Sequence, residues 1–276
     1  MNPTRMHTLR TLIFSTNLLI LATTTPGTMR AADVKTSPDE LIAKAKADLQ
    51  SSDTAVREAA IGSLVHSAIS AQLLPEMRAA LGDADEVVRS RAGTAIGNLG
   101  ADAVDAIPQL VTQLKSDQAK EARETAARAL GRIGKAAPAA RDQIVPPLRT
   151  AGQKDADPVT RVVALGALAM IDIELPSQII ALRKYLHDDD ALVRMKSAHA
   201  LGMLGLVAKE AAPEIVTVLK LETDSHRRGY VARALGSTGD PASLPALEEA
   251  LAAETDKGAQ GEMRGAISRL KAPPKA

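Results

Sequence analysis

A repeat of 32 to 38 residues runs through this sequence and constrains its fold more than any other feature. Its clearest mark is an arginine at seven positions, with successive spacings of 32, 34, 38, 33, 34 and 36 residues. The seven arginines are Arg57, Arg89, Arg123, Arg161, Arg194, Arg228 and Arg264. A chain with such a period folds as a row of similar units, each resting on the next.

The residues that follow each arginine predict an amphipathic helix. Small or apolar residues recur at offsets of three, six, seven and ten, as Ala92, Ala95, Ile96 and Leu99 do after Arg89. These offsets lie on one helical face. Glycine then follows and is expected to end the helix.

An aspartate four residues before the arginine predicts where this helix begins. Aspartate in that place can accept the free amide protons of the first turn, and the helix dipole favours its charge. Five units have it: Asp53, Asp85, Asp157, Asp190 and Asp224. Ala119 and Gln260 hold the position in the third and seventh units, where we expect less well-defined starts.

A second helix precedes this one in each unit and carries an apolar residue before proline. Proline either opens a helix or kinks it, because it removes one amide donor and clashes with the preceding turn. The pairs are Leu74-Pro75, Ile107-Pro108, Val145-Pro146, Ala212-Pro213 and Leu244-Pro245. At the first helix, Ser37 and Glu40 have capping-box spacing.

Two helices per repeat, the second opening on Asp-x-x-x-Arg, resemble HEAT repeats, in particular the short bacterial version found in phycobilisome-lyase-like proteins. The resemblance covers about Ser37 to Leu270. It implies an all-α, right-handed α-α superhelix, a HEAT-like solenoid of about seven helical hairpins. It also implies that the Asp and Arg of the motif link neighbouring units in a ladder. These structural residues are Asp53, Arg57, Asp85, Arg89, Arg123, Asp157, Arg161, Asp190, Arg194, Asp224 and Arg228.

The N-terminus predicts export. Arg5, His7 and Arg10 precede an apolar run over 12–22, and small residues follow. This layout is typical of a secretory signal, and the run is too short for a transmembrane helix. We expect a signal peptide over 1–32, a solenoid over 33–270 and a disordered tail over 271–276, in a periplasmic or secreted protein without an integral membrane span. A disordered or interfacial start is the alternative.

The charge balance argues against nucleic-acid binding. Removing the three arginines of residues 1–32 from 34 basic residues leaves 31, against 33 acidic residues, or 32 if the mature chain begins at Val34. A nucleic-acid interface needs a basic surplus. The chain has no cysteine and only three aromatic residues, so its core must consist of Ala, Leu, Val and Ile.

No set of residues predicts catalysis. The histidines His66, His187, His199 and His226 have no second ligand at metal-binding spacing on the same helix face. The iron-dependent deoxyhypusine hydroxylases, which are HEAT-like, depend on His-Glu pairs that this chain lacks. We therefore expect no catalytic residue, no metal and no cofactor.

The second helices offer a candidate binding surface. Offsets one, two, five and nine should point away from the packed face, and in the middle units they hold Met, Arg and Tyr, which are frequent at interfaces. The predicted partner-binding residues are Arg91, Arg128, Arg132, Met170, Met195, His199, Met203, Tyr230 and Arg233. They predict a scaffold or adaptor that binds protein partners through its concave face. If the face assignment is off by one position, the methionines belong to the core.

Two other functions stay open at this point. A lyase-like or other small-molecule-binding protein would have a deep pocket with convergent polar groups. A purely structural module of an envelope assembly would associate with itself.

Overall fold

A computed structural model describes residues 37–272. Within that range the chain forms fourteen α-helices and no β-strand, so the predicted all-α solenoid is confirmed. The helices are α1 Pro38–Leu49, α2 Thr54–Leu64, α3 Leu74–Ala80, α4 Glu86–Asn98, α5 Ile107–Ser116, α6 Lys120–Ala136, α7 Arg141–Lys154, α8 Pro158–Met170, α9 Leu175–Tyr185, α10 Ala191–Leu204, α11 Ala212–Leu221, α12 Ser225–Ser237, α13 Leu244–Ala253 and α14 Lys257–Lys271.

Consecutive helices pair into seven units, from α1–α2 as unit one to α13–α14 as unit seven. Proline occupies one of the first two positions of α3, α5, α11 and α13, where its missing amide proton is not needed. In α7, by contrast, Pro146 lies inside the helix. Short 3-10 turns connect several units, for example Gly205–Ala211 between α10 and α11.

The predicted caps are present at the second helices of five units. Asp53, Asp85, Asp157, Asp190 and Asp224 each accept a backbone amide of the first turn. Ala119 caps α6 without a side-chain hydrogen bond.

The prediction for unit seven is wrong by one helical turn. Asp256 caps α14, and its carboxylate accepts the amide of Ala259 at 2.8 Å. Gln260 lies four residues later and donates to the carbonyl of Glu254, so it replaces the repeated arginine. Arg264 lies one turn further along. The repeat pattern could not distinguish the two positions, because one turn of helix returns a residue to nearly the same face.

The arginine ladder is present, but its carboxylates are not the capping aspartates. Arg57 donates through Nε and Nη2 to Asp83, at 2.7 and 2.8 Å. Asp83 belongs to the next unit and lies two residues before the cap Asp85. Equivalent rungs join Arg89 to Asp117, Arg123 to Asp155 and Arg228 to Glu254. The capping aspartates are occupied by their own helix amides.

Among the described residues, two consecutive arginines of the ladder do not form an ion pair with the next unit, and we call their rungs open. Arg161 donates through Nε to the hydroxyl of Tyr185 in the next unit at 3.0 Å, and not to Asp188 of that unit. Arg194 has a buried Nε without a hydrogen-bond partner in the described part of the chain. Glu222, which should face it, pairs with Arg227 at 3.0 Å.

Second helices of neighbouring units approach closely through glycine. A Cβ added eight residues after the repeated arginine would lie 2.6 to 2.8 Å from an alanine of the next unit. The contacts are Gly97 with Ala129, Gly131 with Ala167, Gly202 with Ala234 and Gly236 with Ala266. In α8 this position is Ala169, a residue with a methyl group of its own.

The hydrophobic core consists of two clusters that meet at α8. One cluster extends from unit one to Ile171 and includes Ala164 and Leu168 of α8. The other extends from Val159 to Leu270 and includes Val162 and Leu165 of the same helix. Helix α8 therefore contributes side chains to both clusters and lies at the boundary between them.

The ends of the chain are less fully described. The predicted signal peptide, residues 1–32, lies outside the described residues, as do the last four residues of the predicted tail. Helix α14 continues to Lys271. No helix within 37–272 is long and apolar enough to cross a bilayer.

Candidate functional site

Four second helices from consecutive units line a pocket of about 600 Å³, which we call the central pocket. Its charged side chains are Arg128 and Arg132 from α6, Lys196 from α10 and Arg233 from α12, with Lys135 at its edge. Its apolar surface includes Val163, Gly166, Met170, Met203 and Val207. Leu175, at the start of α9, also lines the pocket.

Six of the nine predicted partner-binding residues line this pocket. They are Arg128, Arg132, Met170, His199, Met203 and Arg233. Tyr230 lies beside it, with its ring 6.3 Å from that of His199 and 4.6 Å from the guanidinium carbon of Arg233. The structure thus brings together residues that are 105 positions apart in the sequence.

Arg91 and Met195 are not part of the pocket. Arg91 lies in unit two, where its Nη1 donates to the carbonyl of Glu58 at 2.9 Å. The predicted exposure of Met195 is wrong, since only 8 % of its surface is accessible. The residue directly after the repeated arginine faces the next unit, as buried Val162 does in α8. The off-by-one alternative is therefore correct for Met195, whereas Met203 is 54 % exposed.

A glycine creates the recess at the centre of the pocket. Gly166 lies five residues after the repeated arginine, the position held by Arg128, His199 and Arg233 in neighbouring units. An added Cβ at Gly166 would lie 3.1 Å from the methyl group of Ala200. Because the side chain is missing, the floor between Arg128 and His199 is open.

The pocket carries a surplus of positive charge. Among the described residues, none that lines it is acidic, and Arg128 has no carboxylate within ion-pairing distance. Lys196 lies 3.8 Å from Glu124, and Arg233 lies 3.7 Å from Glu262. Arg132 donates to the side-chain oxygen of Asn98. Anionic groups are therefore the ligands that this surface favours.

Burial changes the pKa values of these groups. It lowers the pKa of Arg128 and of Lys196, and it raises the pKa of Glu124. Burial, followed by the charges of Arg233, Arg128 and Lys196, lowers the pKa of His199 to about 4. His199 is consequently neutral at neutral pH and adds no charge to the pocket.

An apolar rim continues the pocket into the turn after α10. Leu206 is 72 % exposed and Val207 is 61 % exposed. Neither residue was predictable from the helical periodicity, because both follow the helix. The signal that could have revealed them is an apolar pair directly after Gly205, in a turn where polar residues are the norm.

The described residues offer no metal site. No group of three or more histidine, aspartate or glutamate side chains within 37–272 could hold a metal ion.

Comparison with protein families agrees with the repeated architecture. The model for HEAT repeats matches residues 39–131, 107–202 and 145–229, and the model for the PBS lyase HEAT-like repeat matches residues 227–253. The chain is a HEAT-repeat protein. No curated protein matches this HEAT-repeat protein in sequence.

Solved structures share its fold. Importin beta superposes with a TM-score of 0.52 at 15 % identity, covering 84 % of this HEAT-repeat protein and 36 % of importin beta. The CpcE–CpcF complex of phycocyanin lyase from Nostoc sp. PCC7120 gives 0.49 at 21 % identity, covering 88 % of this chain and 100 % of that one. Human deoxyhypusine hydroxylase gives 0.38 at 22 % identity, with coverages of 84 % and 96 %. At such identities the likeness to importin beta concerns the fold alone.

Proposed function

We propose that this HEAT-repeat protein is a non-catalytic scaffold or adaptor that binds a segment of another protein in the central pocket. The observation that carries the proposal is the cluster of Arg128, Arg132, Lys196 and Arg233 above an apolar floor, without an acidic residue lining the pocket. Cations in such a place are stabilised when a partner supplies the missing anions.

Recognition would combine charge with apolar burial. Carboxylates of the partner pair with Arg128, Arg132 and Arg233, while its apolar side chains cover Met170 and Met203. Arginine suits the first task because its guanidinium forms two parallel hydrogen bonds to one carboxylate. Methionine suits the second because its flexible thioether adapts to varied shapes.

The proposed location is periplasmic or secreted. It follows from the signal-like composition of residues 1–32. Partners would accordingly be proteins of the cell envelope or the medium. A purely structural role within an envelope assembly would show itself as self-association.

A small-molecule-binding or lyase-like protein is the second candidate. The observation in its favour is the size of the central pocket, about 600 Å³, because ligand pockets occupy roughly 300–1,000 Å³. Its lining also includes polar side chains, as such a site requires: Arg128, Arg132, Lys135, Lys196, His199 and Arg233.

The test is retention of a partner by the chain from residue 33 onward, immobilised and exposed to an envelope extract of its source. A double variant, Arg132→Glu with Met203→Asp, reverses a charge and adds another inside the pocket. The matched control, Lys115→Glu with Leu221→Asp, makes the same changes on first helices, where Leu221 is 60 % exposed.

A protein retained in stoichiometric amount by the wild type and the control, but lost from the pocket variant, would support the scaffold. Equal retention by all three forms would contradict binding in the central pocket. Recovery of a small molecule without any protein would favour the second candidate.

A further inference from the structure

The recess over Gly166 is surrounded by cations on both sides. Arg128 and Arg132 stand on α6, one unit before Gly166, and Lys196 stands on α10, one unit after it. Arg233 adds a further charge from α12. The part of a ligand that fills the recess is therefore flanked by positive charge on both sides.

The floor of the recess is apolar and shallow. Ala167, Ala200 and Val163 surround Gly166, and Met170 and Met203 border it. Such a floor excludes charged groups, because a charge there would lose water without gaining a partner. It accepts one large apolar side chain.

We propose that the central pocket selects an extended segment in which acidic residues flank one large apolar residue, with Gly166 as the specificity-determining residue. This inference rests on the proposed function and names the partner chemistry for the same site. The apolar side chain enters the recess, and the flanking carboxylates pair with the arginines of α6 and α12.

Fluorescein-labelled peptides test the inference by anisotropy on the chain from residue 33 onward. The probes are Glu-Glu-Leu-Glu-Glu, Glu-Glu-Gly-Glu-Glu and Lys-Lys-Leu-Lys-Lys. The acidic leucine peptide should bind with a dissociation constant at least about tenfold lower than that of the acidic glycine peptide, because burial of a leucine side chain contributes at least that factor. The basic peptide should not bind, and added salt should lower the affinity for the two acidic peptides.

Variants of the recess provide the second readout. Gly166→Ala adds a methyl group beside that of Ala200, and it should lower the affinity for the leucine peptide more than the affinity for the glycine peptide. Met203→Ser should reduce the preference for leucine without affecting the fold, since Met203 is exposed. Gly261→Ala is the matched control, because an added Cβ there meets nothing within 4 Å.

Equal affinity for the two acidic peptides would overturn the proposed motif, while the proposed function would still be judged by partner retention. Binding of the basic peptide would overturn the role of the charges. Binding of octanoate without binding of either acidic peptide would overturn the motif in favour of a small amphipathic anion.

A different observation carries a second inference, which concerns the two open rungs. Their acceptors are held as in closed rungs: Asp188 accepts the amide of Asp190 at 3.0 Å, as Asp83 accepts that of Asp85 at 2.9 Å. Arg194 also donates to the carbonyl of Asp188 within its own unit, as every closed rung does at its own turn. Within residues 37–272, what both arginines lack is an ion pair with the next unit. Arg161 has a single hydrogen bond to the hydroxyl of Tyr185 there instead, and the Nε of Arg194 has no partner in that range.

The glycine contact is looser at one of the same junctions, because the glycine there is Gly166, whose added Cβ would lie 3.1 Å from the methyl group of Ala200. Ala169 presents a methyl group where four other second helices present glycine to the next unit. This methyl group limits the approach of α8 to α10, because the glycine contacts elsewhere are closer than a Cβ permits.

We infer that the junction between α8 and α10 forms a hinge, about which units one to four and units five to seven move as separate bodies. Bending there changes the width of the central pocket, which is lined from α6 on one side and from α10 and α12 on the other. The hinge follows from the methyl group of Ala169 and from the ion pair that Arg161 lacks. At the open rung of Arg194, by contrast, Gly202 keeps α10 close to α12.

Spin-label distances measure this movement, and the absence of cysteine from the chain makes labelling specific. Labels at Lys115→Cys and Ala252→Cys span the hinge, whereas labels at Ala59→Cys and Lys115→Cys lie within the first body. The first pair should give the broader distance distribution. Ala169→Gly should narrow it by letting α8 and α10 approach, and the same change at an exposed helix site, Ala55→Gly, should leave it unchanged.

Equally narrow distributions for the two pairs would overturn the hinge. A broad distribution that Ala169→Gly fails to narrow would overturn the role of Ala169 in it.

Discussion

At the scale of single residues, a position along one helix decides between core and surface. Met195 and Met203 belong to the same helix, eight residues apart, yet one is buried and the other is exposed. The sequence pattern placed both on the exposed face, because the offset directly after the arginine lies at the border of the two faces. Only the position of the next unit determines which side of that border is covered.

Substituting these two methionines tests the distinction. Met195→Asp should lower the free energy of unfolding by about 3 kcal/mol or more, because it buries a charge without a partner. Met203→Asp should change it by no more than about 0.5 kcal/mol, as surface substitutions usually do. Urea denaturation measures both, and similar losses in the two variants would contradict the burial described above.

The ladder predicts a dependence of stability on pH. The hydrogen bond from Arg228, followed by backbone amides, lowers the pKa of Glu254 from 4.5 to about 2. A lowered carboxylate pKa stabilises the fold above the unfolded value, and this contribution is lost as pH falls from 4.5 towards 2. Glu254→Gln should therefore reduce the slope of stability against pH in this window.

Denaturant titrations at several pH values across the window would measure that slope. Glu248→Gln is the control, since Glu248 forms only an exposed ion pair with Lys271. Equal slopes for the wild type and the Glu254→Gln variant would show that this rung does not contribute.

At the scale of helices, starts were the most predictable feature. The capping aspartates, the prolines of the first helices and the box at Ser37 and Glu40 are all local signals, and the structure contains them. The partners of the ladder were not predictable in the same way. Asp83 and Asp117 lie in turns before the second helices, and the helical periodicity of the repeat does not extend into these turns.

The close glycine contacts predict a strong penalty for a methyl group. In Gly202→Ala the new Cβ would lie 2.6 Å from the Cα of Ala234, so α10 and α12 must separate. The expected loss is about 1–3 kcal/mol, as for other overpacked cores. Gly261→Ala, in open space on α14, should instead gain up to about 1 kcal/mol from helix propensity. Thermal unfolding of the two variants compares them directly, and equal shifts would rule out a tight junction at Gly202.

At the scale of the whole molecule, the stack was predictable from the period alone, whereas the central pocket was not. Repetition of one motif establishes that units follow one another, and seven units are present within residues 37–272. The pocket depends on how Arg128, Gly166 and His199 of different units line up across two junctions. Their alignment is a property of the stack, which no single repeat contains.

The divided core predicts unfolding in two steps. The cluster that ends at Ile171 and the cluster that begins at Val159 share only α8, so each half can open without the other. Hydrogen exchange under mild denaturant should reveal two groups of amides with different opening free energies and a boundary at α8. A single cooperative group for all helices would contradict this division.

The rungs that join Arg57 to Asp83, Arg89 to Asp117 and Arg123 to Asp155 have the same geometry at each junction. Each of the second and third units therefore presents the same donor at one end and the same acceptor at the other. A duplicated copy of the second unit would join its neighbours by bonds that already exist. The chain can thus gain or lose whole units ahead of its binding face during evolution, and its reach can change while its specificity is retained.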